Sequence, residues 1–166
     1  IKCMTNNDLA ELQKESGQVC ISIIIPTHRL SSERQADIVE VKKTIARAKE
    51  TLKRDYPVQA KSLLIAIDEL ADTIDFTHND NGIGLFVSPR IKKLIKFPFD
   101  VKEKVILNRS FEIKDILYTL EYTNQYYLLH ITEKAIQLFQ GTMDELKEVK
   151  DQVFPWKIVD QFEYAP

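Results

Sequence analysis

Val19-Cys20-Ile21-Ser22-Ile23-Ile24-Ile25-Pro26-Thr27-His28-Arg29 is a short, largely β-branched apolar run that stops at a proline and turns abruptly polar. Residues 19–25 predict a buried strand, because Val and Ile suit a pleated surface and no sustained polar alternation marks a wet face. A helical pattern follows, so Thr27, His28 and Arg29 fall on a strand-to-helix loop, where rigid scaffolds commonly carry binding groups.

Working outward, Thr5-Asn6-Asn7-Asp8 supplies capping side chains ahead of Leu9 and Leu12, and Gly17 is a natural stop, which predicts a helix over 6–16. Ser32 and Gln35 have the spacing of a capping box and open a long helix over 33–55 with the stripe Ile38, Val41, Ile45, Ala48 and Leu52. Tyr56-Pro57 ends that helix and starts another over 57–76, since proline is tolerated in a first turn but not in an interior. The two stripes predict a helical hairpin covering a sheet.

Asn79-Asp80-Asn81-Gly82 is the strongest turn signal and leads into a buried strand over 83–87. Ser88-Pro89-Arg90 turns the chain into an antiparallel return over 91–97, whose alternation breaks at Leu94-Ile95 as a bulge would break it. A short strand over 105–107 and a helix over 112–121 follow. After Thr123-Asn124 the texture becomes that of a β-hairpin, 126–131 with 135–139, and a third strand over 146–149. Val153 to Pro166 has neither period nor enough apolar residues to complete a core. The expected class is α+β: a mixed sheet with a helical hairpin, then the start of a second β-rich domain, with a boundary near residue 123. The chain begins at Ile1 rather than methionine, which reads as a segment of a longer protein.

The 166 residues carry 23 basic and 25 acidic side chains, a net charge of −2, so the strongly positive field of a dedicated nucleic-acid binder is missing and any such contact must be a local patch. No apolar run approaches bilayer-crossing length, and no membrane partner is expected. Cys3 and Cys20 lack Cys-x-x-Cys spacing, which fits a buried thiol in a cytoplasmic protein. His28, His78 and His130 share no metal-ligand spacing and have no serine or cysteine context of an activated nucleophile, so neither a metal nor a cofactor is expected.

Three pieces carry a family resemblance: Ile21-Ser22-Ile23-Ile24-Ile25-Pro26-Thr27-His28-Arg29, the segment Gly84-Leu85-Phe86-Val87-Ser88-Pro89, and Tyr127-Leu128-Leu129-His130-Ile131 through Leu138-Phe139-Gln140-Gly141-Thr142. In this order the chain resembles the bacterial branch of the archaeal and eukaryotic class 1 peptide-chain release factor superfamily. The resemblance implies a first α+β domain over 1–122, the opening β-hairpin region of a middle-like domain over 123–166, and a translation-related, ribosome-associated role. The Gly-Gly-Gln loop that promotes peptidyl-tRNA hydrolysis in release factors is missing from this sequence, as is the Asn-Ile-Lys-Ser element used at stop codons. This segment is therefore expected to bind rather than catalyse.

The candidate binding residues are Thr27, His28, Arg29, Ser88, Arg90 and Arg109. The first three precede a helix N-terminus, where unpaired N–H groups and the dipole favour an anion such as an RNA phosphate. The bland alternative has Thr27 and Ser32 satisfying backbone groups and Arg29 paired with a nearby acid. Arg90 and Arg109 follow short strands and could converge with Arg29, although antiparallel neighbours would send some of them to opposite ends. Lys42, Lys43, Arg47, Lys49, Lys53 and Arg54 sit late in a helix that starts acidic, a pattern that also complements the macrodipole. Lys92, Lys93 and Lys96 could hold RNA or guard a strand edge. The leading expectation is a release-factor-like protein binding RNA or a ribosomal partner. Its rivals are a protein-interaction module without RNA binding and a peptidyl-tRNA hydrolase whose catalytic loop lies outside this segment.

Overall fold

The computed structural model describes residues 6–122, 125–142 and 145–157. The chain divides into two compact units, Ile1–Leu120 and Glu121–Pro166. In the first, α1 (Asn6–Lys14) leads into β1 (Ser16–Pro26), a 3-10 turn (Ser31–Glu33), α2 (Arg34–Asp55) and α3 (Pro57–Ala71). Three further strands follow, β2 (Gly82–Val87), β3 (Lys92–Phe97) and β4 (Lys104–Ser110), and α4 (Lys114–Tyr122) closes the set.

The class is α+β, as the sequence indicates, but the sheet is not mixed: its order is β3-β2-β1-β4 and every pairing is antiparallel. The reason is the crossover. One helix would carry the chain back to the start of β1, whereas the α2–α3 hairpin returns it to the end that β1 has just left, where Thr27 N–H donates to Asn81 O at 3.1 Å.

Both faces of this sheet are covered. Val19, Ile21, Ile23 and Ile25 pack with Val41, Ile45, Leu52, Leu63 and Ile67 of the helical hairpin. Cys20 and Ile24 pack on the other face with Phe86, Phe97, Leu12 of α1 and Ile116 of α4. A strand buried on both sides reads as a continuous apolar run whichever way its neighbours point. The same covering explains Leu94-Ile95: the β2–β3 register runs unbroken from Gly82↔Phe97 to Val87↔Lys92, and the two residues face opposite apolar layers rather than a bulge. The irregularity lies in β1, between Ser16 and Cys20, where Gly17 has φ 85°. Pairing beyond it, Cys20↔Asn108 and Ser16↔Ser110, extends β4 past the expected 105–107.

The expected capping box does not form. The 3-10 turn intervenes, Glu33 becomes the N-cap of α2, and no side chain caps it. Helix α3 ends at Ala71, short of 76, although Ile74 and Phe76 still pack on the core. Cys20 is fully buried and its thiol is pushed up to about 11, first by burial and then by the nearby Glu15 carboxylate. Cys3 lies outside the described residues.

Gly84 sits opposite Ile95, and a Cβ there would meet Phe86 Cε2 at 2.7 Å and Phe97 Cε2 at 2.8 Å. Two ring edges in a packed layer cannot both give way, so Gly84→Ala is expected to cost about 1–3 kcal/mol, read from the urea midpoint at unchanged m-value.

The second unit is a sheet of β5 (Tyr126–Ile131), β6 (Ala135–Gly141) and β7 (Leu146–Val149), with β8 (Trp156–Lys157) also paired to β6. The hairpin and third strand appear as the sequence indicates, and all six residues of β5 are exposed. Residues 158–166 lie outside the described residues.

Candidate functional site

Strand β1 ends at Pro26, and the next three residues have different fates. Thr27 is turned inward: its N–H extends the β1–β2 pairing and its Oγ1 donates to Asp80 O at 2.8 Å. It is a structural fastener between two loops.

His28 and Arg29 stay half exposed, with 53% and 47% of their side chains accessible. His28 is anchored by Asp37, whose side chain in the first turn of α2 is only 2% exposed. Asp37 Oδ2 accepts His28 N–H at 2.9 Å and Asn79 Nδ2–H at 3.1 Å, and Oδ1 lies 2.7 Å from His28 Nδ1. One buried carboxylate thus ties the loop after β1 to the loop before β2. The Asp37 hydrogen bond raises the His28 pKa above the ordinary imidazole value; burial opposes it as the next-largest effect, and the Asp37, Glu33 and Asp100 charges add smaller increases. With Nδ1 committed to Asp37, Nε2 is the ring atom left to meet a ligand.

Arg29 donates from Nη2 to Pro98 O at 3.0 Å and lies with Nε 3.6 Å from Asp80 Oδ1. This is the acid pairing of the bland reading, yet an exposed ion pair of this length is worth about 0–1 kcal/mol and exchanges readily for another anion. Asp37, Asn79 and Asp80 are not among the candidate binding residues of the sequence, where Asn79 and Asp80 mark only a turn. Asp37 lies in the acidic start of a helix that is basic at its end, a pattern the macrodipole explains by itself, and its location nine residues after a loop histidine is the signal that marks it.

Ser88, Arg90 and Arg109 are elsewhere. Because β1 and β2 are antiparallel, Ile21↔Val87 and Pro26↔Gly82 mark opposite ends of the pair, five residue steps or roughly 17 Å of strand apart. Ser88 is buried: its Oγ donates to Glu15 Oε1 at 3.1 Å and accepts Arg90 N–H at 3.2 Å and Ile91 N–H at 3.0 Å. Arg90 Nε lies 3.7 Å from the same buried Glu15 carboxylate. Ser88 and Arg90 therefore build the β2–β3 turn. Arg109, on β4, is exposed and lines a cleft of about 360 Å³ at that end.

Many basic side chains are already engaged. Arg47 pairs with Glu103, Lys49 with Asp68, Arg54 with Asp55 at 2.8 Å, Lys92 with Glu69 at 2.7 Å, and Lys93 with Asp8 at 2.5 Å and Glu11 at 2.7 Å. These pairs interrupt the continuous cationic track that an extended polyanion needs. Among the described residues, no group of three or more His, Cys, Asp or Glu side chains could hold a metal ion, and no helix is long and apolar enough to cross a membrane.

No protein-family model matches the chain, and no curated protein matches it. Among solved structures it is similar to an archaeal protein, at 17% identity and TM-score 0.41, covering 86% of this chain and 42% of that one. It is likewise similar to the archaeal translation termination factor aRF1, at 19% identity and TM-score 0.44, covering 86% of this chain and 41% of that one. The chain spans about two-fifths of the length of these two proteins.

Proposed function

We propose that this chain is a release-factor-like, translation-associated cytoplasmic protein that binds RNA or a ribosomal partner through the loop between β1 and α2, without catalysis in this segment. In this reading residues 1–122 form the N-terminal domain and 123–166 the opening hairpin region of a middle-like domain. The observation that carries it is the presentation of His28 and Arg29: two cationic-capable side chains half exposed on a loop whose backbone is clamped by a buried carboxylate. A clamped loop loses little entropy on binding, so two good contacts count for more than on a mobile one. The motif order of the release-factor resemblance supplies the process.

Co-sedimentation of the chain with ribosomes at low and high salt tests the reading. Arg29→Ala is expected to reduce the pelleted fraction at low salt and to lower the salt slope by about 1, as loss of one phosphate contact does. Wild-type behaviour of the variant at both salts would remove the loop from the interface.

One observation favours a second reading, a protein-interaction module. The ion pairs along α2 and β3 leave a surface of alternating charge, which suits a protein partner better than a polyanion. Salt-insensitive capture by ribosomal protein after RNA removal would select it.

A further inference from the structure

The cleft at the opposite end of the sheet has a chemistry of its own. Its floor is Val19, and around it stand Tyr56 at the α2–α3 junction, Gln59 in the first turn of α3, Pro89 of the β2–β3 turn, and Asn108 and Arg109 of β4. Three facts set it apart from an ordinary surface dent. First, among the described residues no ion pair holds the Arg109 guanidinium, whereas both cations of the neighbouring 570 Å³ cleft have a carboxylate partner, Glu15 for Arg90 and Glu69 for Lys92. Second, Asn108 Oδ1 accepts the Arg109 N–H at 2.8 Å, which fixes the backbone from which the arginine projects. Third, Gly17 borders the cleft at φ 85°, and a Cβ there would meet nothing within 4 Å, so the mouth is open on the β1 side.

An aromatic ring, a proline face, a side-chain amide and an arginine with no carboxylate partner among the described residues are complementary to a planar heterocycle joined to a phosphate. We infer that this cleft is a nucleotide site: the base lies against Tyr56 and Pro89, its edge meets the Gln59 amide, and the phosphate pairs with Arg109. The volume of about 360 Å³ accommodates a single nucleotide and no longer oligonucleotide. The inference rests on the RNA side of the proposed function, and it assigns to one exposed nucleotide of a single strand the far end of the sheet from His28.

Titration of the full chain with adenosine 5′-monophosphate, adenosine and inorganic phosphate, followed by NMR or calorimetry, tests it. The monophosphate is expected to saturate a single site and to bind about tenfold more tightly than either adenosine or phosphate, since stacking and charge act together. Arg109→Ala should weaken it about tenfold, while Arg29→Ala leaves it unchanged. Because Tyr56 also packs on the core, Gln59→Ala serves as the second variant, with the melting curve as the check on folding. No saturable binding, equal affinity for phosphate and nucleotide, or indifference to both variants overturns the inference. Co-sedimentation of the wild-type chain with ribosomes in the absence of any nucleotide binding would sink the cleft alone; nucleotide binding without co-sedimentation would sink the proposed function alone.

Discussion

Replacing Asp37 by alanine is expected to lower the unfolding free energy by about 2–4 kcal/mol, a large fraction of a domain's stability. The carboxylate is buried at 2% exposure and accepts three hydrogen bonds, two from His28 and one from Asn79. Hydrogen bonds to a charged group contribute about 1.5–3 kcal/mol each, but the half-exposed His28 ring regains water when its partner goes, which pulls the total below the simple sum. Asp37→Asn keeps an acceptor and most of the shape and should cost less. Denaturant midpoints for both variants check the ordering; an Asp37→Ala protein as stable as wild type would show that the clamp contributes nothing.

The same pair gives a pH signature. His28 has a folded-state pKa raised above its unfolded value, chiefly by the Asp37 hydrogen bond. Its contribution is then fully present below the ordinary histidine value of about 6.5 and is lost as pH rises through the folded value. The stability gap between wild type and Asp37→Asn should accordingly narrow from pH 6 to pH 8.5.

How much of this was legible in the sequence follows from the range of each interaction. Elements whose signal is local were readable: the β-branched run 19–25, the stripes of α2 and α3, and the Asn-Asp-Asn-Gly turn before β2 each announce themselves within a few residues. The direction of β2 relative to β1 was not readable, because it depends on how many helices the crossover contains and where they return the chain. Nor was the site. Asp37 is joined to Asn79 across 42 positions and Ser88 to Glu15 across 73, so each polar residue had a sufficient local explanation until the folded chain supplied its partner. The candidates themselves separated by register: antiparallel pairing sent Thr27, His28 and Arg29 to one end, and Ser88, Arg90 and Arg109 to the other. Leu94-Ile95 misled for a related reason, since alternation reports a wet face only where one exists.

Phe97→Ala is expected to be the most destabilising single change in the sheet, at about 3–5 kcal/mol. The ring is fully buried, pairs at Gly82, and lies 5.9 Å from the Phe99 ring between α1, α4 and the sheet. Rigid strands on one side and two helices on the other limit collapse into the void, which keeps the cost near the upper half of that range. The same ring also limits what fits at Gly84. The Cβ of an alanine there meets the Phe97 ring at 2.8 and 3.0 Å and the Phe86 ring at 2.7 Å. Removing the Phe97 ring vacates one of these two obstacles and makes room for the methyl group. In the Phe97→Ala background, Gly84→Ala should therefore cost less than alone, with a coupling of about 1 kcal/mol in favour of the double variant. A double-mutant cycle measures this directly. Costs that add to within about 0.5 kcal/mol would mean that Phe86 alone sets the limit at Gly84.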